Sequence, residues 1–171
     1  TDARSFGRVL WSLIDDSEIL AGLLKDLEDN VGEFFLDRDT ERQLLVVVTH
    51  LDHKGNEARW NQAKLIGEFL QRHDSPAIVM GDFNDSPGSP VHQLLTNSAC
   101  GLQDTWEMLG RNEDEQSMTH HRFTGTPQKT RMDWVLVSKH FQVVEALIIR
   151  DNAEGRYPSD HFPYLVDLKW R

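Results

Sequence analysis

Gly81-Asp82-Phe83-Asn84-Asp85 sets a carboxylate and a carboxamide two residues apart, directly after the apolar run Ala77-Ile78-Val79-Met80. The run reads as a buried strand and the polar residues as its C-terminal mouth. Side chains two apart on a strand point the same way, so Asp82 and Asn84 are expected to face one site, with Phe83 turned from it. A carboxylate and an amide oxygen together suit a hard divalent cation such as magnesium. The same amide offers a second use, donating a hydrogen bond to a phosphate oxygen. A plain strand-end turn, where Asp and Asn are common, explains these residues without chemistry.

Further polar groups sit at other strand ends. Leu44-Leu45-Val46-Val47-Val48-Thr49 runs into His50-Leu51-Asp52-His53. His50 is placed to touch a phosphate oxygen or protonate a leaving group, since imidazole titrates nearest neutrality. A surface turn, or a metal cluster of His50, Asp52 and His53, are the alternatives. Asp133 opens the apolar segment Met132-Asp133-Trp134-Val135-Leu136-Val137. A carboxylate there is costly without a partner, and histidine is an obvious one. In Ser159-Asp160-His161-Phe162-Pro163 the acid and the imidazole are adjacent, so in an extended segment they diverge. One can meet a metal while the other meets a different group. An imidazole held by Asp133 could take a proton from water, because the carboxylate fixes its tautomer and raises its basicity. Met118-Thr119-His120-His121-Arg122-Phe123-Thr124-Gly125 mixes aromatic, basic and histidine residues. It reads equally as a substrate-facing lip or an exposed loop.

These groups need rigid elements to hold them. Gly32 to Asp37 and Arg42 to Thr49 read as a hairpin whose second strand runs inside a sheet. Glu57 to Arg72 has an apolar face of Ala63, Ile66, Phe69 and Leu70, and Arg59 is the polar residue able to reach back to the site. Strand, helix, strand is a crossover that implies a layered α/β domain. Ser89 and Pro90 start a short helix, Gly101 to Trp106 resumes a buried element, and Val143 to Ile149 and Tyr164 to Leu168 read as late strands. Upstream, Phe6, Val9, Leu10, Leu13 and Ile14 have helical spacing, and Ser17 is a cap for a second helix, Glu18 to Asp29. Residues 1–31 are therefore expected to form a helical N-terminal segment, and 32–171 the remainder of the domain.

Composition narrows the choice. The chain has 171 residues, with 28 Asp and Glu against 18 Lys and Arg, for a net charge of -10. Duplex binding normally needs a basic face, which no Lys/Arg cluster supplies. Acidic enzymes still bind phosphates through metals, because a bound cation inverts the local field. The charge thus argues against a passive nucleic-acid binder more than against a phosphoesterase. A single cysteine, Cys100, excludes an internal disulfide and a cysteine-based zinc site. No apolar run reaches membrane-spanning length.

Taken together, Thr49-His50-Leu51, Gly81-Asp82-Phe83-Asn84, Arg131-Met132-Asp133-Trp134 and Ser159-Asp160-His161-Phe162-Pro163 resemble the endonuclease/exonuclease/phosphatase superfamily, the DNase I-like metal-dependent phosphoesterases. Order and strand context match, as do the Thr119 to Gly125 stretch and Leu102-Gln103-Asp104-Thr105. The resemblance covers Gly32 to the C-terminus and implies a four-layered αββα sandwich. It implies that His50 contacts the scissile phosphate or assists the leaving group, and that Asp82 orients or activates the attacking water with help from a metal. Asn84 then holds a phosphate oxygen, Asp133 pairs with His161, and Asp160 ligates Mg2+ (or Mn2+). His161 stabilises charge or takes a proton at the phosphate.

The same resemblance implies a further N-terminal half that supplies an Asn and the principal glutamate ligand of the metal. Glu18, Glu28 and Glu33 lie in the wrong context for that role. Three explanations stand open: a start beyond this sequence, a partner chain that supplies it, or a decayed homologue. The expected reaction is hydrolysis of a phosphodiester or phosphomonoester by activated water. The expected substrate is a nucleic acid or a small phosphorylated molecule, with no membrane insertion. A phosphate-binding or scaffold module that keeps the fold without catalysis is the alternative.

Overall fold

The computed structural model describes residues 6–11 and 33–171. The strands are β1 (Phe6–Trp11), β2 (Glu33–Asp37), β3 (Arg42–His50), β4 (Ala77–Asp82), β5 (Leu102–Asp104), β6 (Asp133–Ser138), β7 (Phe141–Ile148) and β8 (Tyr164–Trp170). The helices are α1 (Asn56–Arg72), α2 (Pro90–Thr96) and α3 (Thr105–Met108). A five-stranded sheet has the order β2-β3-β4-β6-β5, and a three-stranded sheet the order β1-β8-β7. No described helix is long and apolar enough to cross a membrane.

The continuous apolar runs of β3, β4 and β6 follow from burial on both faces. Alternate residues of one strand point to opposite sides. Leu45, Val47, Val79, Trp134 and Leu136 pack with Ala63, Ile66 and Leu70 of α1 and Val91 and Leu95 of α2. Their neighbours Leu44, Ile78, Val135 and Val137 pack with Phe141, Val143, Ala146, Tyr164, Val166 and Leu168 of the second sheet. Helices, sheet and sheet thus stack in layers. Burying one such side chain fully contributes about 1.5–3 kcal/mol, so these two cores fix the strand register.

β3 and β4 run parallel, joined by α1, while β4 and β6 are antiparallel. The register sets His50 opposite Asp82 and Asp82 opposite Asp133. The ends of three neighbouring strands therefore share one rim. Gly81 makes this approach possible. Its φ is +141°, and a Cβ there would overlap the Thr49 carbonyl oxygen. Only glycine accepts that conformation and that proximity.

The N-terminal stretch differs from the expected helix where it is described. Phe6–Trp11 is a strand paired antiparallel with β8, from Phe6 opposite Leu168 to Trp11 opposite Tyr164. Its apolar spacing suits a helix, but the edge of β8 offers backbone partners, and tertiary pairing overrides a weak local preference. The Ser17 cap and the Glu18 to Asp29 helix lie outside the described residues. The hairpin, the crossover helix and the later strands fall within a few residues of their expected bounds. Ser89 caps α2 by accepting from the His92 N–H at 3.2 Å, with Pro90 in the first turn.

Candidate active site

Asp133 opens β6 at the rim and is fully buried. One carboxylate oxygen, Oδ2, lies 2.7 Å from Nδ1 of His161. At that distance the bond is charge-assisted and fixes the ring, leaving Nε2 as its free nitrogen. Asp133 Oδ1 is buried without a hydrogen-bond partner among the described residues. His161 is held from behind by its own backbone, whose N–H donates to Ser159 Oγ at 3.1 Å.

Asp82 faces this pair from β4. Nε2 of His50 approaches Asp82 Oδ2 at 3.4 Å, an ion-pair distance. Burial and the neighbouring Asp133 carboxylate together push the Asp82 carboxyl up to about 7, against the opposing charge of His161. The His161 imidazole ends above its ordinary value. Burial alone would lower it, but the Asp133 hydrogen bond and the charges of Asp133, Asp82 and Asp160 outweigh that.

Asn84 reaches the rim by a different route from simple strand alternation. β4 ends at Asp82, and Asn84 has a left-handed φ of +50°. Asn tolerates this region because its short side chain bonds locally. The Asn84 N–H donates to Asp82 Oδ1 at 2.7 Å, and its side-chain Nδ2 donates to the Leu51 carbonyl at 2.9 Å. One amide hydrogen and Oδ1 have further capacity. Phe83 turns into the core, as expected, and stacks on Trp134 with ring centroids 4.4 Å apart. Trp134 and Trp106 are core side chains, whereas Phe123 of the 118–125 stretch is exposed.

Asp52 serves the turn rather than a metal cluster. Its Oδ1 accepts from the N–H groups of Lys54 at 2.8 Å and Gly55 at 2.5 Å. Arg59 does reach back: Nη1 donates to the Asp52 carbonyl at 2.9 Å, and Nε lies 3.6 Å from Asp85 Oδ2. It ties the loop after β3 to the loop after β4.

The lip at residues 118–125 forms part of the site, which the sequence left undecided. The N–H of His121 donates to the Asp160 carbonyl at 2.8 Å, and that of Phe162 to the Thr119 carbonyl at 2.7 Å. These bonds zip the lip to the segment carrying Asp160 and His161. Thr119 Oγ1 also accepts from the Met132 and Asp133 N–H groups, at 3.0 and 3.3 Å. The His121 ring stacks on Phe162 with centroids 3.9 Å apart. His120 therefore sits beside the pair, its ring 5.0 Å from that of His161 and its Nε2 3.9 Å from Asp160 Oδ2. Burial holds the His120 imidazole below its ordinary value. Sequence reasoning noted the mixed lip but did not single out His120 or Thr119.

A second His–Asp pair lies away from this rim. His92 Nε2 is 2.9 Å from Asp104 Oδ2, and Nη2 of the buried Arg131 reaches the same oxygen at 2.9 Å. Arg131 also donates to Glu113 Oε1, from Nη2 at 2.6 Å and Nε at 3.0 Å. The Trp106 N–H satisfies Asp104 Oδ1 at 2.8 Å.

The rim suits a divalent cation. Asp82, Asp133 and Asp160 crowd their charges, and the repulsion contributes to the raised Asp82. A cation relieves that repulsion, and carboxylate oxygens are its natural ligands. Asp160, with its side chain about a third exposed, and Asp82 are carboxylates that could hold it. Among the described residues, His120, Asp160 and His161 bring potential ligand atoms within 4.8 Å of one another.

The two stacked sheets with helices on one face form an α/β fold of the DNase I type. The match to the Endonuclease/Exonuclease/phosphatase family over residues 14–161 makes the chain a member of that family. Among solved structures it is similar to a family protein from Bacteroides thetaiotaomicron, with a TM-score of 0.70 and 28% identity, covering 81% of this chain and 53% of that one. It is also similar to a mannosyl-6-phosphatase of that organism, with a TM-score of 0.67 and 28% identity, covering 79% of this chain and 54% of that one. A 2',5'-phosphodiesterase 12 from Bos taurus is 25% identical over 167 residues, 78% of this chain and 27% of its own length. The chain thus spans about half the length of the structures it matches and about a quarter of that curated relative.

Proposed function

We propose that this chain carries the catalytic rim of a divalent-metal phosphoesterase that hydrolyses a phosphate ester with water. The observation that carries the reading is the 2.7 Å Asp133–His161 pair beside Asp82, whose carboxylate Asn84 contacts. Relatives that include a phosphodiesterase and a phosphatase support the chemical class.

Each side chain then has a task. Asp133 holds the His161 ring in one tautomer and aims Nε2 at the phosphate, where it stabilises charge or takes a proton. Asp82, raised to about 7, is matched to accepting a proton from the attacking water near neutral pH. Asn84 donates its remaining amide hydrogen to a non-bridging phosphate oxygen. His50, on the neighbouring strand, assists the leaving group. Asp160 and Asp82 would hold Mg2+ or Mn2+, which would supply charge neutralisation at the phosphoryl oxygens. The substrate is a nucleic acid or a small phosphorylated molecule. The net charge of -10 favours a small or single-stranded one over a duplex.

The test is turnover of the whole protein on bis(p-nitrophenyl) phosphate and p-nitrophenyl phosphate, before and after chelation. Hydrolysis that stops on chelation and returns with Mg2+ or Mn2+ is expected. Phosphate binding without turnover of either ester, in metal-loaded protein, would instead favour a non-catalytic phosphate-binding module.

A further inference from the structure

His120 is the one rim group without a task in that scheme. It is 7% exposed, and none of its ring nitrogens has a hydrogen-bond partner among the described residues; Nδ1 is buried and unpaired. No neighbour engages Nε2 at hydrogen-bond distance, so that nitrogen is available to a ligand atom. Backbone geometry holds the ring in place. His120 forms bridges to both Gln128 and His161, and the Gln128 N–H donates to the His120 carbonyl at 2.8 Å. Its position is therefore not a chance rotamer on a loose loop.

The ring's surroundings identify what would complete it. Nε2 points to Asp160 Oδ2 at 3.9 Å, too long for a hydrogen bond. Two ligands each about 2.1 Å from one ion lie at most about 4.2 Å apart, so this separation fits a shared cation. His161 Nε2 is directed at the phosphate in the proposed reaction, which leaves His120 Nε2 as the second ring nitrogen of the potential ligand group. Arg122 and Lys129 send positive charge toward His120, but Asp82, Asp133 and Asp160 crowd the same rim with negative charge.

We infer that His120 is a nitrogen ligand of the rim cation, beside Asp160, and turns the site toward a first-row transition metal and away from magnesium. The inference rests on the metal-dependent reading above and deepens it. Magnesium prefers a shell of oxygens and dehydrates reluctantly, whereas imidazole binds transition cations well. An all-oxygen rim would show no such preference. With His120 in the shell, manganese or cobalt gains a bond that magnesium uses poorly.

The experiment titrates the whole protein with Mn2+, Co2+ and Mg2+ by calorimetry, and records nitrogen couplings in the pulsed EPR spectrum of its Mn2+ complex. Wild type, His120→Gln, His120→Phe and Asp160→Asn are compared, with melting curves confirming folding. Wild type should show an imidazole nitrogen coupling and bind Mn2+ and Co2+ more tightly than Mg2+. Both His120 variants should lose that coupling and weaken Mn2+ and Co2+ binding about tenfold or more, with Mg2+ binding little changed. An unchanged coupling in folded His120→Gln would assign the nitrogen to another residue and overturn the inference while leaving the metal reading intact. Loss of all binding in Asp160→Asn supports the shared site. Wild type that binds none of these cations overturns both the inference and the reading beneath it.

Discussion

Among the described residues, two His–Asp pairs lie within hydrogen-bond distance, and they are built for different ends. His161–Asp133 spans 2.7 Å at the rim, and His92–Asp104 spans 2.9 Å beneath α2. The acids differ in what surrounds them. Asp104 has both oxygens satisfied, by His92, Arg131 and the Trp106 N–H, and a full positive charge lies within the cluster. Asp133 has one oxygen unpaired and faces a second carboxylate, Asp82, rather than an arginine. A closed network of this kind rigidifies a core, while an open one holds capacity for a ligand. Pair length alone does not distinguish them; the accounting of every lone pair does.

The largest expected effect separates the two histidines. His161→Ala should lower turnover about 10²–10⁴-fold, the range for a disrupted general acid–base group. Adding Asp133→Asn to it should change little, since both act through one unit. His92→Ala should lower the melting temperature and leave turnover per folded molecule intact. Equal turnover losses for the two histidines would erase the distinction.

Next comes the interior pair's acid. Asp104→Asn leaves the buried Arg131 with Glu113 as its remaining carboxylate, and the side chain of Glu113 is about a third exposed. Breaking a buried ion pair costs about 3–5 kcal/mol, and the surviving Glu113 contact places the expectation near the lower end. Denaturant midpoints measure it.

The same pair has an acid limit. Burial works to raise the Asp104 carboxyl, but the His92 hydrogen bond and the Arg131 charge hold it below its ordinary value. A depressed folded value contributes stability that is complete above the unfolded value, about 3.9, and is lost as pH falls through the folded one. The advantage of wild type over Asp104→Asn should therefore be constant near neutrality and shrink only in strong acid. A gap that already narrows well above the ordinary aspartate range would contradict this.

The smallest effect concerns support for the rim. Thr119→Val keeps the shape but removes the oxygen that accepts from the Met132 and Asp133 N–H groups. The expected loss is about 1–3 kcal/mol in stability, from donors left unsatisfied, with a smaller loss of turnover than either rim residue gives. Urea unfolding together with kcat separates the two readouts.

Much of the rim was legible because sheet registers bring strand ends together. An apolar run followed by His50, or by Asp82, marks a strand mouth, and parallel neighbours put such mouths side by side. A donor for Asp133 was expected from cost, since a carboxylate opening an apolar strand needs one, and the family resemblance pointed to His161. Asn84 arrived by a left-handed residue instead of continued alternation, and local composition does not reveal where a strand stops. His120 was hidden because its place depends on hydrogen bonds between the lip and residues 160–162, far apart in sequence. Phe6–Trp11 was misread because its helical spacing has no competitor until β8 is in place. Both misses concern pairing between distant segments, which periodicity cannot register.

The central claim is that Asp133 acts through His161 on a phosphate, not as a tether for its loop. Asp133→Asn tests it most directly, with turnover and melting temperature measured on the same metal-loaded preparation of the whole protein, and Asp104→Asn as the interior control. The account expects turnover in Asp133→Asn to fall about 10²–10⁴-fold with little change in melting temperature, and the reverse pattern in Asp104→Asn. Unchanged turnover per folded molecule in Asp133→Asn, with a lowered melting temperature, would contradict it.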